Sequence, residues 1–123
     1  MNLNQITISV SNIEQSIRFY QDLGLRLIVE SLPNYARFEC PEGQSTFSLH
    51  QSDAVVNNGA WIYFEIENLD QKVTELIDKG FVFAEMSNDK PWLWREARIK
   101  DPDNNLLILY YAGDNRKNPP WRI

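Results

Sequence analysis

The sequence is poor in the residues that most catalytic and metal sites need. Among 123 residues there is one cysteine, Cys40, and one histidine, His50. A single cysteine excludes an intramolecular disulfide and fits a reducing, cytoplasmic compartment. Glycine is scarce, with five residues dispersed and no Gly-x-Gly-x-x-Gly phosphate loop. Apolar runs are short. The longest, Leu106 to Ala112, is far below the roughly 18 residues that span a bilayer, so no membrane association is expected. The N-terminus lacks a basic segment followed by an apolar core, so no signal peptide is expected. Basic residues are outnumbered, 12 against 17, giving a net charge of −5. They cluster only weakly, at Arg116, Lys117 and Arg122. Phosphate backbones require clustered Lys and Arg, so nucleic acid is not an expected partner.

What is present is a folded chain that repeats itself. Hydrophobic residues make up 43% and aromatic residues 12%, too many for a disordered segment. A shift of 56 aligns Ile6–Glu30 with Ile62–Met86 without a gap. Ile6/Ile62, Asn12/Asn68, Gln15/Gln71, Asp22/Asp78 and Gly24/Gly80 are identical. Ile6, Ile8 and Val10 alternate with polar residues, as in a half-buried strand. Ser11 and Glu14 form a capping-box pattern. Ile13, Ile17, Tyr20 and Leu23 follow helical spacing up to Gly24, placed for a left-handed helix end. Leu25–Ser31 reads as the next strand.

In the second copy, Ile62, Phe64 and Ile66 give the strand, and Asn68 with Gln71 resembles the cap. Leu69, Val73, Leu76 and Ile77 give the helix, Gly80 its end, and Phe81–Glu85 the following strand. Two further strands complete each copy: Tyr35–Cys40 and Thr46–Gln51, then Trp94–Lys100 and Leu106–Tyr111. Their turns hold Pro41–Gly43 and Asp101–Asn105, where Gly43 and Asn104 tolerate positive φ. The predicted unit is strand–helix–strand–strand–strand, at residues 1–52 and again at 60–112. A polar linker, Ser52–Gly59, joins the copies, and a tail, 113–123, follows.

The stretches ITISVSNIEQSIRFYQDLGL and DPDNNLLILYY resemble the vicinal oxygen chelate superfamily: glyoxalase I, extradiol dioxygenases, and fosfomycin- and bleomycin-resistance proteins. The second resembles the family's Asp-Pro-Asp-Gly-Asn turn, with Asn104 in the glycine place. The resemblance covers roughly residues 3–112. It implies an α+β fold of two tandem βαβββ modules, forming a curved mixed sheet around a ligand cleft in one globular domain. It also implies a homodimer. Metal-dependent members hold a divalent ion at four strand positions, which correspond here to Gln5, Ser48, Trp61 and Ile108. Only Gln5 offers a usable ligand atom, since such ions want several imidazole nitrogens or carboxylate oxygens. No metal or other cofactor is expected.

Strand parity nominates the ligand-facing residues. Gln5, Thr7 and Ser9 oppose the apolar set of the first strand. Thr46, Ser48 and His50 do so in the fourth, Trp61, Tyr63 and Glu65 in the fifth, and Ile108 and Tyr110 in the last. An aromatic-rich surface with few polar groups is usual for a small-molecule site. Trp92 and Trp94, after a Ser-Asn-Asp loop, offer stacking faces, and Arg95 or Arg98 an anion contact; equally, the tryptophans suit an edge or a subunit contact. Cys40 has no partner that would make it a nucleophile. In the tail, Pro119-Pro120 favours extended chain and Trp121 an anchor, on a partner subunit, a cleft mouth or its own domain.

The leading expectation is a protein of the bleomycin-resistance kind that sequesters an aromatic or cationic small molecule without metal. The alternative is a metal-dependent or acid–base lyase, isomerase or dioxygenase, with His50 and Glu65 as candidate catalytic groups, aided by Gln5. A protein-interaction module using the tail and the Trp92 segment is a third reading.

Overall fold

A computed structural model describes residues 1–55 and 59–123. The expected linker Ser52–Gly59 therefore lies partly outside the described residues. The chain divides into two compact units, Met1–Asn58 and Gly59–Ile123.

The first unit runs β1 (Gln5–Val10), α1 (Ile13–Leu23), β2 (Arg26–Ser31), β3 (Tyr35–Glu39) and β4 (Thr46–Gln51). The second runs β5 (Trp61–Glu65), α2 (Leu69–Asp78), β6 (Glu85–Asp89), β7 (Arg95–Lys100) and β8 (Leu106–Tyr111), then a 3-10 turn, Gly113–Arg116. Each unit holds an open four-stranded mixed sheet, in the order β1-β4-β3-β2 or β5-β8-β7-β6. β1 pairs β4 in parallel, as β5 pairs β8, and the other pairs are antiparallel. The expected α+β fold of two βαβββ modules is what the chain adopts.

The helices end as the glycines predict. The Gly24 amide bonds Gln21 O and the Leu25 amide bonds Tyr20 O; Gly80 and Phe81 repeat this on Ile77 O and Leu76 O. Both glycines have positive φ, 121° and 97°, which a Cβ would oppose. The helix starts differ from expectation. Asn12, not Ser11, caps α1, its side chain accepting from the Gln15 amide at 3.1 Å. Asn68 holds the same position on α2 but makes no side-chain cap bond.

Helix and sheet bury one apolar layer in each unit. In the first, Ile17, Tyr20 and Leu23 meet Val10, Ala36, Phe38, Phe47 and Leu49. The Tyr20 ring lies 4.8 Å from Phe47 and 6.1 Å from Phe38. In the second, Leu69, Val73 and Leu76 are buried with Ile62, Ala97, Ile99, Leu107 and Leu109. Ile77, expected in that stripe, is exposed, as is Ile6.

One strand assignment needs correction. β6 is Glu85–Asp89, not Phe81–Glu85, so Ser87–Asp89 is strand rather than loop. A tight turn sets this register: the Leu93 amide bonds Lys90 O, and the Lys90 amide bonds Trp94 O. Asp89 is thereby aligned with Arg95, and pairing extends back only to the Ala84 amide on Arg98 O. Asn104 takes the expected positive φ, 65°, whereas Gly43 does not.

Candidate functional site

The sheet faces turned away from the helices differ between the units. Alternation along β1, β3 and β4 directs Gln5, Thr7, Tyr35, Arg37, Ser48 and His50 to one face of the first sheet. There the polar groups bind one another. Gln5 Nε2 donates to Ser48 Oγ at 2.7 Å and to the Ile6 carbonyl at 3.1 Å. Its Oε1 accepts from Thr46 Oγ1. Ser48 Oγ and the Tyr35 hydroxyl share a 2.7 Å hydrogen bond, and Arg37 Nε donates to the same hydroxyl at 2.9 Å. Ser48 is 0% exposed although it lies on the polar face. The hydrogen bond from Ser48, aided by Arg37, holds the Tyr35 phenol below its ordinary value. His50 lies directly opposite Tyr35 and is exposed.

The corresponding face of the second sheet is aromatic. Trp94 stacks on Tyr110 at 4.7 Å, and Tyr63 meets both edge-on at 5.9 and 5.5 Å. Ile108, Tyr110 and Ala112 form a buried cluster against which Trp94 and Leu106 pack. Trp61 is 57% exposed, and the Arg98 guanidinium lies 5.6 Å from its ring centre. Burial, with Glu96 nearby, pushes the Tyr63 phenol up, and burial with Glu65 does the same for Tyr110.

Of the nominated residues, the structure gathers Gln5, Thr7, Ser48 and His50 in the first unit. Trp61, Tyr63, Glu65, Trp92, Trp94, Ile108 and Tyr110 belong to the second. Ile108 is 0% exposed, so it supports its neighbours instead of offering a surface. Glu65 already has partners: Oε1 accepts from the Ala112 and Gly113 amides at 3.3 and 3.1 Å, and Oε2 pairs with Arg116 at 3.5 Å. It fastens the start of the tail, whose Trp121 is 58% exposed in the single chain. Arg95 does not face this surface. It pairs with Asp70 on α2 at 2.9 Å and with Asp89 at 3.0 Å. Asp70 is consequently held below the usual carboxylate range.

Sequence reasoning missed Glu96, which is 1% exposed. Its Oε1 accepts from Trp92 Nε1 at 2.8 Å, and its Oε2 pairs with Arg98 at 3.4 Å. Arg98 also pairs with Glu85 at 3.4 Å, and Glu85 in turn with Lys90. The alternation of Glu96, Arg98 and Lys100 against Ala97 and Ile99 was the available signal. Tyr35 and Arg37 were missed likewise, although they alternate with Ala36 and Phe38.

The donor set does not fit the divalent ion of metal-dependent relatives. Gln5 and Ser48 are bonded to each other, and Trp61 and Ile108 carry no coordinating atom. Among the described residues no group of three or more His, Cys, Asp or Glu side chains is placed to hold a metal ion. Burial pushes the Cys40 thiol up, which disfavours its nucleophilic thiolate.

Three comparisons bear on this arrangement. A sequence model described as "Glyoxalase/Bleomycin resistance protein/Dioxygenase superfamily" matches residues 2–109. The uncharacterized protein YraH of Bacillus subtilis (strain 168) is 28% identical over 125 residues, covering 89% of this chain and 98% of that protein. A solved member of the same superfamily from Sphaerobacter thermophilus DSM 20745 superposes with TM-score 0.74 at 21% identity, covering 90% and 97% of the two chains. An enzyme of that family from Burkholderia phytofirmans PsJN gives TM-score 0.74 at 18% identity, covering 91% and 99%.

Proposed function

The chain belongs to the glyoxalase/bleomycin resistance protein/dioxygenase superfamily, and from that premise we propose that it binds a small aromatic molecule without the help of a metal ion. The observation that carries this reading is the exposed Trp61 beside the Tyr63–Trp94–Tyr110 cluster. A planar ligand stacking on Trp61 gains contact area at little conformational cost, because an aromatic side chain has only two torsions to immobilise. The net charge of −5 favours a cationic ligand through long-range attraction. The reading includes a cytoplasmic homodimer. No helix among the described residues is long and apolar enough to cross a membrane, and one free cysteine accords with a reducing compartment.

A metal-dependent lyase, isomerase or dioxygenase has less support, since the family's four positions supply too few ligand atoms. The acid–base version has less support too, because Glu65 is already bonded to backbone amides and Arg116.

The test is tryptophan fluorescence and thermal-shift titration with a panel of planar aromatic cations, beside Mn²⁺, Fe²⁺, Ni²⁺ and Zn²⁺. Ligands that bind only the folded state raise the melting temperature by mass action. Saturable quenching by at least one dye, lost in Trp61→Ala, is the expected result. No response to any dye, together with a stoichiometric metal-induced shift, overturns the reading.

A further inference from the structure

Among the described residues, the polar face of the first sheet carries a charge with no ion-pair partner. Arg37 is exposed on β3 and forms no ion pair among the described residues, whereas its neighbour Arg26 is paired with Glu39 at 2.7 Å. Arg37 spends only Nε, on the Tyr35 hydroxyl. Its two terminal nitrogens are left to donate outward.

The direction of the hydrogen bonds around Tyr35 follows from burial. Ser48 is wholly buried, and its Oγ accepts from Gln5 Nε2. The Gln5 amide is oriented by its bond to the Ile6 carbonyl, which only a nitrogen can make. A buried hydroxyl proton with no acceptor is costly, and the Tyr35 oxygen is the acceptor within reach, at 2.7 Å. Ser48 therefore donates to Tyr35. The Tyr35 oxygen then accepts twice, from Ser48 and from Arg37, and its own proton is unspent. Tyr35 and Arg37 are two apart on one strand, so both point to the same side.

We propose that Tyr35 and Arg37 form a binding site for the carboxylate group of a small molecule on the first sheet. Both present donors and no competing acceptor, as an anionic oxygen requires. The planar guanidinium fork matches the two oxygens of a carboxylate. One unpaired cation balances one negative charge, and Arg26, the other cation of this face, is already matched by Glu39. A dianionic phosphate would leave charge uncompensated. The site lies in a different unit from Trp61, so it stands or falls independently of the aromatic reading.

The test is titration of the full-length isotope-labelled protein with benzoate, followed by amide and side-chain NMR shifts. Benzamide, benzylammonium and inorganic phosphate are the comparison probes. Benzoate should produce saturable shifts at residues 35, 37 and 48 that benzamide and benzylammonium do not. Affinity should fall about tenfold or more in Arg37→Gln and roughly tenfold in Tyr35→Phe, as for loss of a hydrogen bond to a charged group. Replacing Arg26 and Glu39 together by glutamine, which removes a matched pair, should leave binding as in the parent. Arg37 is exposed and Tyr35→Phe keeps the ring, so both variants should fold, which their spectra check directly. Equal responses to benzoate and benzamide overturn the proposal. So does unchanged affinity in both variants, and so does tighter binding of phosphate than of benzoate.

Discussion

Arg37 and Arg98 occupy the same station in the two sheets. Arg37 is aligned with Ser48, the third residue of β4, and Arg98 with Ile108, the third residue of β8. Each guanidinium lies over an aromatic ring, at 5.5 Å from Tyr35 and 5.6 Å from Trp61. Their surroundings have diverged. Arg98 has Glu96 and Glu85 beside it, and Arg37 has a hydrogen-bonded chain of neutral groups. The repeat supplies one scaffold position twice, and the neighbouring side chains decide its electrostatics.

The tyrosines should ionise in a definite order. Tyr35 lies below the ordinary 10.0, chiefly through the Ser48 hydrogen bond. Tyr63 and Tyr110 lie above it, chiefly through burial. Tyrosinate absorbance should therefore show Tyr35 titrating before those two, and Tyr35→Phe should delete the early step. Ser48→Ala should move that step up. The folded value of Tyr35 is below the unfolded one, so ionisation favours the fold. That contribution is absent at neutral pH, grows as pH rises through the folded value and is complete above 10.0. An early step that survives in Tyr35→Phe would refute the assignment.

Removing Glu96 should be among the costlier single changes. Glu96→Ala leaves the Trp92 indole N–H without its acceptor and Arg98 without one of its two carboxylates. Breaking a buried charged pair costs roughly 3–5 kcal/mol; with Arg98 retaining Glu85, a loss of about 2–3 kcal/mol is expected. Glu96→Gln keeps an acceptor for Trp92 and should lose less. Urea denaturation of the two variants checks the order, and equal stabilities would contradict it.

Leu93 should gain from replacement by glycine. It closes the β6–β7 turn at φ 68° and is 48% exposed. A left-handed conformation costs a non-glycine residue about 1–2 kcal/mol, and little burial is lost with the side chain. Glycine's larger unfolded-state entropy offsets part of the gain. Leu93→Gly should raise stability by up to about 1 kcal/mol, read as an upward shift in melting temperature. A lower melting temperature would show that the Leu93 side chain matters more than its backbone strain.

Glu65→Gln should loosen the start of the tail while leaving the second sheet intact. The carboxylate accepts from the amides of Ala112 and Gly113 and pairs with Arg116. The variant keeps an amide oxygen but loses the charge. Partial exposure screens the ion pair, so a cost of about 1 kcal/mol is expected. Amide exchange at residues 112–116 should accelerate, with β8 exchange unchanged. Equal acceleration along β8 would mean that Glu65 holds the sheet rather than the tail.

Much of this molecule is readable from its sequence because the deciding interactions are local and periodic. Alternation marks the strands, helical spacing marks α1, and Gly24 and Gly80 end the helices wherever the rest of the chain lies. The repeat doubles each of these signals. Local reading went astray first where two local signals competed. Asn12 displaced Ser11 as the cap, and the Lys90–Leu93 turn drew β6 away from Phe81 by fixing its alignment with β7. At the site, neighbours in space set the surroundings instead. Ser48 reads as a ligand-facing serine, but Gln5 and Tyr35, 43 and 13 residues away, bond its hydroxyl. Glu65 reads as a candidate acid until the amides 47 and 48 residues downstream claim it. The sequence determined which elements form and which side chains share a face, because backbone geometry propagates residue by residue. Only the tertiary structure decided which polar groups are already satisfied and which still have a donor to offer, because hydrogen bonds are settled by distance in space and not along the chain.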